Sequence, residues 1–285
     1  MTEQVTNKAN RILFFNTIAF MICFAAWTIN GVLVTHLVDN GIFSWSSVEV
    51  GWLLGIPILS GSIFRFPIGM LTDKFGGKLV YTSILIFCSI PMFLLSYANS
   101  YFVFAVLSFI FGLTGASFAC GIAYTSLWFP KNKQGTALGI FGVGTIGTAL
   151  TALFAPSLLE YLSDYGSNLE GWRTLPQIYA AVLLAMGILF YIFTIKKLPE
   201  QKKTIKELTR PLKSMRLWRF GLYYFLVFGC FVAFSQWLVP YYVNAYYMSL
   251  ITAGILTSAF SLPAGLFRAL GGWLADKYGA RKVMY

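Results

Sequence analysis

The chain has 285 residues, of which 58% are hydrophobic and 11% are charged, and its mean hydropathy is +0.71. Soluble domains carry about 25% charged residues, so this composition excludes an ordinary soluble protein and indicates a membrane protein. The formal net charge is +11, which either a nucleic-acid-binding surface or a membrane topology could explain.

Eight segments of the chain are apolar over roughly 20 residues, the length that a helix needs to cross a bilayer. We therefore predict an all-α membrane protein with helices at residues 12–35, 50–71, 79–98, 102–127, 135–158, 175–195, 218–242 and 250–274. With the N-terminus in the cytoplasm, 18 of the 21 Lys and Arg residues lie on the cytoplasmic side, as the positive-inside rule requires. The sequence thus predicts a multi-pass protein of the cell membrane, in contact with lipid and with no nucleic-acid partner.

The second predicted helix carries an arginine, Arg65, inside the apolar stretch GWLLGIPILSGSIFRFPIGMLTDKFGGKLV, which is Gly51–Val80. A shift of 203 positions without a gap aligns this stretch with GILTSAFSLPAGLFRALGGWLADKYGARKV, Gly254–Val283, and places Arg65 over Arg268. A charge near the bilayer centre costs at least ~2.5–3.5 kcal/mol, so it normally faces a bundle interior or an aqueous cavity. We expect both arginines to face an internal binding site.

The cytoplasmic end of each aligned stretch carries the same loop motif. Asp73-Lys74 precedes a pair of glycines, and Asp276-Lys277 precedes Gly279. Glycine suits the turn between two antiparallel helices. The duplicated motif resembles the signature of the cytoplasmic 2–3 and 8–9 loops in the major facilitator superfamily, whose fold has two parallel six-helix halves. The resemblance implies a gating role for both loops.

The fourth and fifth helices contain the run GASF…SLWFPKNKQGTALGIFGVGTIGTA, whose spacing alone indicates close helix packing through small residues. Together with the two arginines, this run resembles the nitrate/nitrite porter family of the major facilitator superfamily. The resemblance implies that substrate is bound by Arg65, Arg268, Phe118, Gly144, Thr145, Tyr224 and Phe228. The family usually carries an asparagine where this chain has Thr145, and a threonine cannot reproduce the donor and acceptor of an amide.

The resemblance also predicts the domain organisation. We expect a major facilitator fold with eight of twelve helices present: residues 1–195 as the N-terminal six-helix half, 196–217 as a basic cytoplasmic linker, and 218–285 as the first two helices of the second half. The repeat predicts an intact length of roughly 400 residues, so the sequence is expected to be a truncation. A natural eight-helix protein is the alternative.

All ten acidic residues fall in tails, loops or helix ends, so the predicted site contains two arginines and no carboxylate. Guanidinium groups cannot deprotonate, and a buried pair therefore needs an anion. Two planar forks suit a small planar oxyanion such as nitrate or nitrite. Proton-driven transport usually uses intramembrane Asp, Glu or His, and none is evident. The sequence predicts a monomeric nitrate/nitrite antiporter that works by alternating access.

Three alternatives remain open at this point. A proton relay in helices outside the sequence would allow proton-coupled nitrate uptake. A facilitator for another small anion, or for a phosphate ester or organic anion, could also use two arginines. A membrane anion sensor would bind without vectorial flux. No nucleophile, base or metal-ligand pattern is present, so we expect no enzyme activity, no cofactor and no metal.

Overall fold

The structure is a computed structural model that describes residues 2–199, 207 and 209–284. The described part contains eight helices that are long and apolar enough to span a membrane, as predicted. They are α1 (Asn7–Asp39), α2 (Ser47–Phe75), α3 (Gly77–Leu95), α4 (Tyr101–Ser126), α5 (Lys131–Leu162), α6 (Gly171–Phe193), α7 (Met215–Tyr246) and α8 (Leu250–Tyr278). A short helix, α9 (Ala280–Val283), follows. Four of these spans, α1, α2, α5 and α7, extend about one turn beyond the predicted bounds at both ends, because their polar ends continue the helix outside the apolar core. Three others, α3, α4 and α6, end one to three residues before their predicted C-terminal bounds.

Four of the spans are interrupted partway along their length. α1 is interrupted at Thr28, between a helix that begins before the span, Thr2–Trp27, and a second segment, Ile29–Asp39. α2 is interrupted at Phe64, between Ser47–Ile63 and Arg65–Phe75. α4 and α5 contain the 3₁₀ turns Gly112–Ala116 and Val143–Ile146. Short 3₁₀ stretches inside helices often mark hinges or functional positions. The interruption in α2 directly precedes Arg65.

The sequence repeat has the same helix bounds in both copies, since α2 and α8 begin and end at the same offset of 203 positions. Each starts at a serine, Ser46 or Ser249, whose hydroxyl accepts a hydrogen bond from the backbone N–H three residues later. Each ends at a glycine with positive φ, 90° at Gly76 and 87° at Gly279, a conformation that side chains with a Cβ rarely adopt. The duplicated sequence therefore specifies a duplicated helix and turn.

The buried apolar side chains form two cores: a large one mainly within α1–α6, and a second aromatic core between α1–α6 and α7–α8. α1 contacts α4, α5 and α6, while α3 packs on α6 and α2 packs on α4. α8 lies along α5. α7 contacts α8 and the second segment of α1, Ile29–Asp39, which is the outer segment in the predicted topology. The second core has rings from α1, α5 and α7, namely Phe20, Phe24, Trp27, Phe141, Phe228 and Phe231. This is the region that both arginines enter.

A proline in α2 fixes the position of α1. Pro57 has no N–H group, so the carbonyl of Leu53 lacks its usual helical partner. Asn30 on α1 supplies a substitute donor, since its Nδ2 donates to Leu53 O at 2.8 Å and to Ser108 Oγ at 3.0 Å. Trp27 Nε1 donates to Pro57 O at 2.8 Å. These bonds orient the Trp27 ring beside the second aromatic core.

Of the predicted basic linker at residues 196–217, residues 200–206 and 208 lie outside the described residues. The start of the linker packs on the turn between α2 and α3, where a Cβ at Gly76 would lie 3.2 Å from Lys197 O. Lys197 Nζ donates a hydrogen bond to Leu127 O, directly after the end of α4. The described start of the linker is therefore attached to α4 and to the first loop motif.

Candidate functional site

Arg65 lies in a cage of aromatic rings. Its Cζ is 5.0 Å from the ring centre of Phe228, 5.5 Å from that of Phe118 and 5.7 Å from that of Trp27. These distances are within the range of a cation–π interaction, in which the negative face of a ring attracts a cation. Arg65 Nε and Nη2 are buried and have no hydrogen-bond partner among the described residues. The guanidinium thus keeps donors free for a ligand.

Arg268 approaches the same region from α8. Its Cζ is 5.6 Å from the ring centre of Phe228 and 5.4 Å from that of Phe231. The chain of methylene groups lies against Gly142 on α5, where an added Cβ would be 3.1 Å from Arg268 Cδ. The two guanidiniums therefore meet at one ring, Phe228, and α5 determines the path of one of them.

Tyr224 completes the group of side chains around the arginines. Its hydroxyl interacts with Arg65 and is close enough to Arg268 for an electrostatic interaction. Its ring stacks on Phe228, with centres 4.9 Å apart and planes at 15°. A cavity of about 550 Å³ opens beside Arg65 and Tyr224 and is also lined by Trp27 and Gln236. The cavity is large enough for a small anion.

Neither arginine has a carboxylate partner among the described residues. An ion pair among the described residues joins Arg173 to Glu170 where α6 begins, away from both arginines of the site. Buried guanidiniums cannot lose their protons. Two arginines without a carboxylate partner therefore favour the binding of a negative ligand. The geometry is that of an anion site with two hydrogen-bonding forks, a phenol hydroxyl and aromatic walls.

Comparisons with known proteins identify the family of the chain. The family model for the Major Facilitator Superfamily matches residues 15–285. A probable nitrate/nitrite antiporter of Thermus thermophilus is 42% identical over 281 residues, which cover 96% of this chain and 63% of the antiporter. A probable nitrate transporter of Staphylococcus haemolyticus is 32% identical, with coverage of 95% and 68%. The chain belongs to the nitrate/nitrite porter family of the major facilitator superfamily.

The porter spans about two thirds or less of the length of these curated relatives. A nitrite extrusion protein of Bacillus subtilis is 29% identical over 98% of this chain and 68% of its own length. Among solved structures, a bacterial homolog of the human lysosomal transporter Spinster, in an inward-facing and occupied conformation, matches 96% of this chain with a TM-score of 0.74. At 19% identity this likeness shows the fold alone. It is the predicted major facilitator fold.

Five of the seven substrate-binding residues predicted for the porter come together in the structure, namely Arg65, Arg268, Phe118, Tyr224 and Phe228. Gly144 lies elsewhere, against α1, where an added Cβ would be 2.6 Å from Phe20 Cδ1. Thr145 is fully buried and its hydroxyl donates to Gly142 O at 2.9 Å. Gly144 therefore lets α5 approach α1, and Thr145 lies one helical turn from the glycine that contacts Arg268.

Three residues at the porter's site were missed by the sequence analysis: Trp27, Phe231 and Gly142. A signal for Trp27 was present, because Phe20, Phe24 and Trp27 follow each other at helical spacing and so share one face. Nothing in the sequence distinguishes Gly142 from the other glycines of α5. Its role depends on which α5 residue faces Arg268.

The two predicted gating loops of the porter differ in their contacts. Asp276 accepts hydrogen bonds from the N–H groups of Gly135 and Thr136, at 2.8 and 2.6 Å, and from Thr136 Oγ1 at 2.7 Å. A carboxylate stabilises the free N–H groups at a helix N-terminus. Asp73 makes no hydrogen bond or ion pair within the described part of the chain. Lys277 lies over Trp273, and Lys74 lies over Phe75.

Proposed function

We propose that this porter exchanges nitrate for nitrite across the cell membrane by alternating access, with its N-terminus in the cytoplasm. The observation that carries the proposal is the meeting of Arg65 and Arg268 at Phe228 without a carboxylate partner. A single anion bound between the two guanidiniums, next to the cavity that Arg65 and Phe228 line, would neutralise part of this charge. The named relatives, which include a probable nitrate/nitrite antiporter, support nitrate and nitrite as the ligands.

The chemistry of the site suits a small planar oxyanion. A guanidinium donates two parallel hydrogen bonds in one plane, and the oxygens of nitrate or nitrite can accept them in that geometry. The Tyr224 hydroxyl is a further donor. The phenylalanine rings around the arginines offer no hydrogen bonds to replace a tightly held hydration shell, so a weakly hydrated anion is preferred.

Exchange, rather than proton coupling, follows from the titratable groups near the site. No Asp, Glu or His among the described residues contacts either guanidinium. The one histidine, His36, lies on the outer segment of α1, where its Nδ1 is 3.2 Å from Asn40 Nδ2. An empty site with two positive charges is unfavourable, so the loaded porter changes face more readily than the empty one.

The same proposal covers the organisation of the chain. Residues 1–195 form the first half, 196–217 the linker and 218–285 the beginning of the second half, and the porter works as a monomer. The alternation involves α8 moving relative to α5. Those two helices approach closely near both ends of α8, at Gly272 against Gly135 and at Gly254 against Ala152.

The test is uptake of labelled nitrate into proteoliposomes that contain the purified porter. Vesicles are loaded with nitrite, chloride or buffer, without a pH gradient. We expect internal nitrite, and not chloride, to stimulate uptake. Uptake that requires an imposed proton gradient would contradict exchange, and the absence of uptake under either condition would indicate another anion or a sensor.

A further inference from the structure

The two guanidiniums share one aromatic partner. The Phe228 ring centre is 5.0 Å from Arg65 Cζ and 5.6 Å from Arg268 Cζ. The other rings close to these arginines contact one guanidinium each, with Trp27 and Phe118 at Arg65 and Phe231 at Arg268. Within the described residues, Phe228 is thus the point at which the two charges are joined.

Packing holds the Phe228 ring in this position. The residue is only 6% exposed. Tyr224 stacks on it at 4.9 Å and 15°, and Phe118 stacks on it at 5.6 Å and 19°. Phe118 and Tyr224 are also 6.1 Å apart, so the three rings form a mutually packed cluster that restricts the rotation of Phe228 and holds it against both arginines.

The ring and a bound anion satisfy the same need. The face of an aromatic ring is the negative end of its quadrupole and attracts a cation within about 6 Å, more strongly where water is excluded. Arg65 and Arg268 have no carboxylate partner among the described residues, so the Phe228 face is the negative group that both can use when no anion is present. An anion that bridges the two guanidiniums would take over this role.

We propose that Phe228 is a resident substitute for the transported anion, which stabilises the empty site and sets how readily the empty porter changes face. This inference rests on the proposed exchange of nitrate for nitrite. Exchange uses only the loaded porter, whereas net transport requires the empty porter to return. The ring therefore acts more strongly on net transport than on exchange, and the ratio of the two rates reports its role in the empty site.

The first test compares Phe228→Leu, which removes the ring, with Phe24→Leu as a matched control. Phe24 belongs to the same core, 6.3 Å from Phe228, and its ring packs on Phe20 and Trp27 without contacting either guanidinium. Nitrate/nitrite exchange is measured alongside net nitrate efflux into anion-free buffer, with valinomycin and potassium to balance the charge.

We expect Phe228→Leu to lower the ratio of net efflux to exchange about tenfold, because the empty site loses the ring that lies against both guanidiniums. Phe24→Leu should leave the ratio unchanged. If Phe228→Leu reduces exchange and net efflux equally, the ring only lines the cavity and the proposal is wrong.

A second test needs no substrate. The decrease in melting temperature caused by Phe228→Leu is measured in two backgrounds, the native protein and the double variant Arg65→Gln, Arg268→Gln. Both are measured without nitrate or nitrite. We expect most of that loss to disappear in the double variant, while the loss caused by Phe24→Leu stays the same. Equal losses for Phe228→Leu in both backgrounds would overturn the proposal. Absence of nitrate exchange by the native porter would contradict the proposed function, and this cycle would still decide the role of the ring.

Discussion

Gly142 lies directly against Arg268, and a Cβ at this glycine would be 3.1 Å from Arg268 Cδ and 3.4 Å from its Cβ. We expect Gly142→Ala to displace the arginine by a few tenths of an ångström. A misplaced binding group lowers transport efficiency steeply, so the KM for nitrate exchange should rise about threefold to tenfold. The melting temperature should change little, because a flexible side chain can yield.

Gly139 is the matched control for this prediction. An added Cβ there would meet backbone, at 2.5 Å from Arg268 O and 3.0 Å from Gly272 Cα. Backbone atoms cannot yield without moving α8, so Gly139→Ala should lower the melting temperature and the amount of folded protein. If Gly142→Ala destabilises the protein as much and leaves KM unchanged, Gly142 acts in helix packing alone.

The bond between Asn30 and the Leu53 carbonyl predicts a compensating pair of substitutions. Asn30→Ala leaves the carbonyl unpaired, which should lower stability by about 1–3 kcal/mol. Pro57→Ala restores a backbone N–H four residues after Leu53, so it should reduce the loss caused by Asn30→Ala. Thermal unfolding in detergent of the two single variants and the double variant measures this coupling. Additive losses would show that the asparagine does not replace the missing donor.

Asp276 caps the first turn of α5, and its removal should loosen that turn. We expect Asp276→Ala to cost about 1 kcal/mol locally and to speed amide hydrogen exchange at Gly135 and Thr136 several-fold. Asp73→Ala is the control, because Asp73 forms no such bonds within the described residues. Equal exchange rates at Gly135 in the native protein and in Asp276→Ala would contradict the capping role.

Substitutions of Thr145 distinguish a hydroxyl that bonds only within α5 from one that contacts the anion. Its hydroxyl donates to Gly142 O, so Thr145→Val should change the KM for nitrate less than twofold if that bond is purely local. Thr145→Asn adds an amide that can reach beyond the helix, and we expect retained or improved nitrate transport. A large rise in KM for Thr145→Val would place the hydroxyl in contact with the anion. Loss of transport in Thr145→Asn would show that this site differs in geometry from the family.

Hydropathy and the repeat were sufficient to predict the eight spans and the paired arginines. The apolar segments specify the helices, while the orientation inferred from the positive-inside distribution stays a prediction. The offset of 203 aligns Arg65 with Arg268 whatever the packing between the halves. The helix ends were less predictable. Capping by Ser46 and Ser249 and the positive φ of Gly76 determine where α2 and α8 begin or end.

The partners of each arginine could not be predicted from the sequence alone. Phe231 and Gly142 contact Arg268 because of the rotation of α7 and α5 about their axes, which periodicity does not define between helices. The asymmetry of the two loops was also hidden, because Asp73 and Asp276 have the same sequence context. Only the packing of α8 on α5 gives Asp276 its hydrogen bonds.

Equilibrium binding of nitrate to the purified porter tests the central claim most directly. Isothermal titration of the native protein, Arg65→Lys and Arg268→Lys would compare guanidinium forks with point charges of the same sign. We predict saturable nitrate binding to the native protein and at least about tenfold weaker binding in each lysine variant, with melting temperatures nearly unchanged. Native affinity in both lysine variants would contradict the paired-guanidinium site.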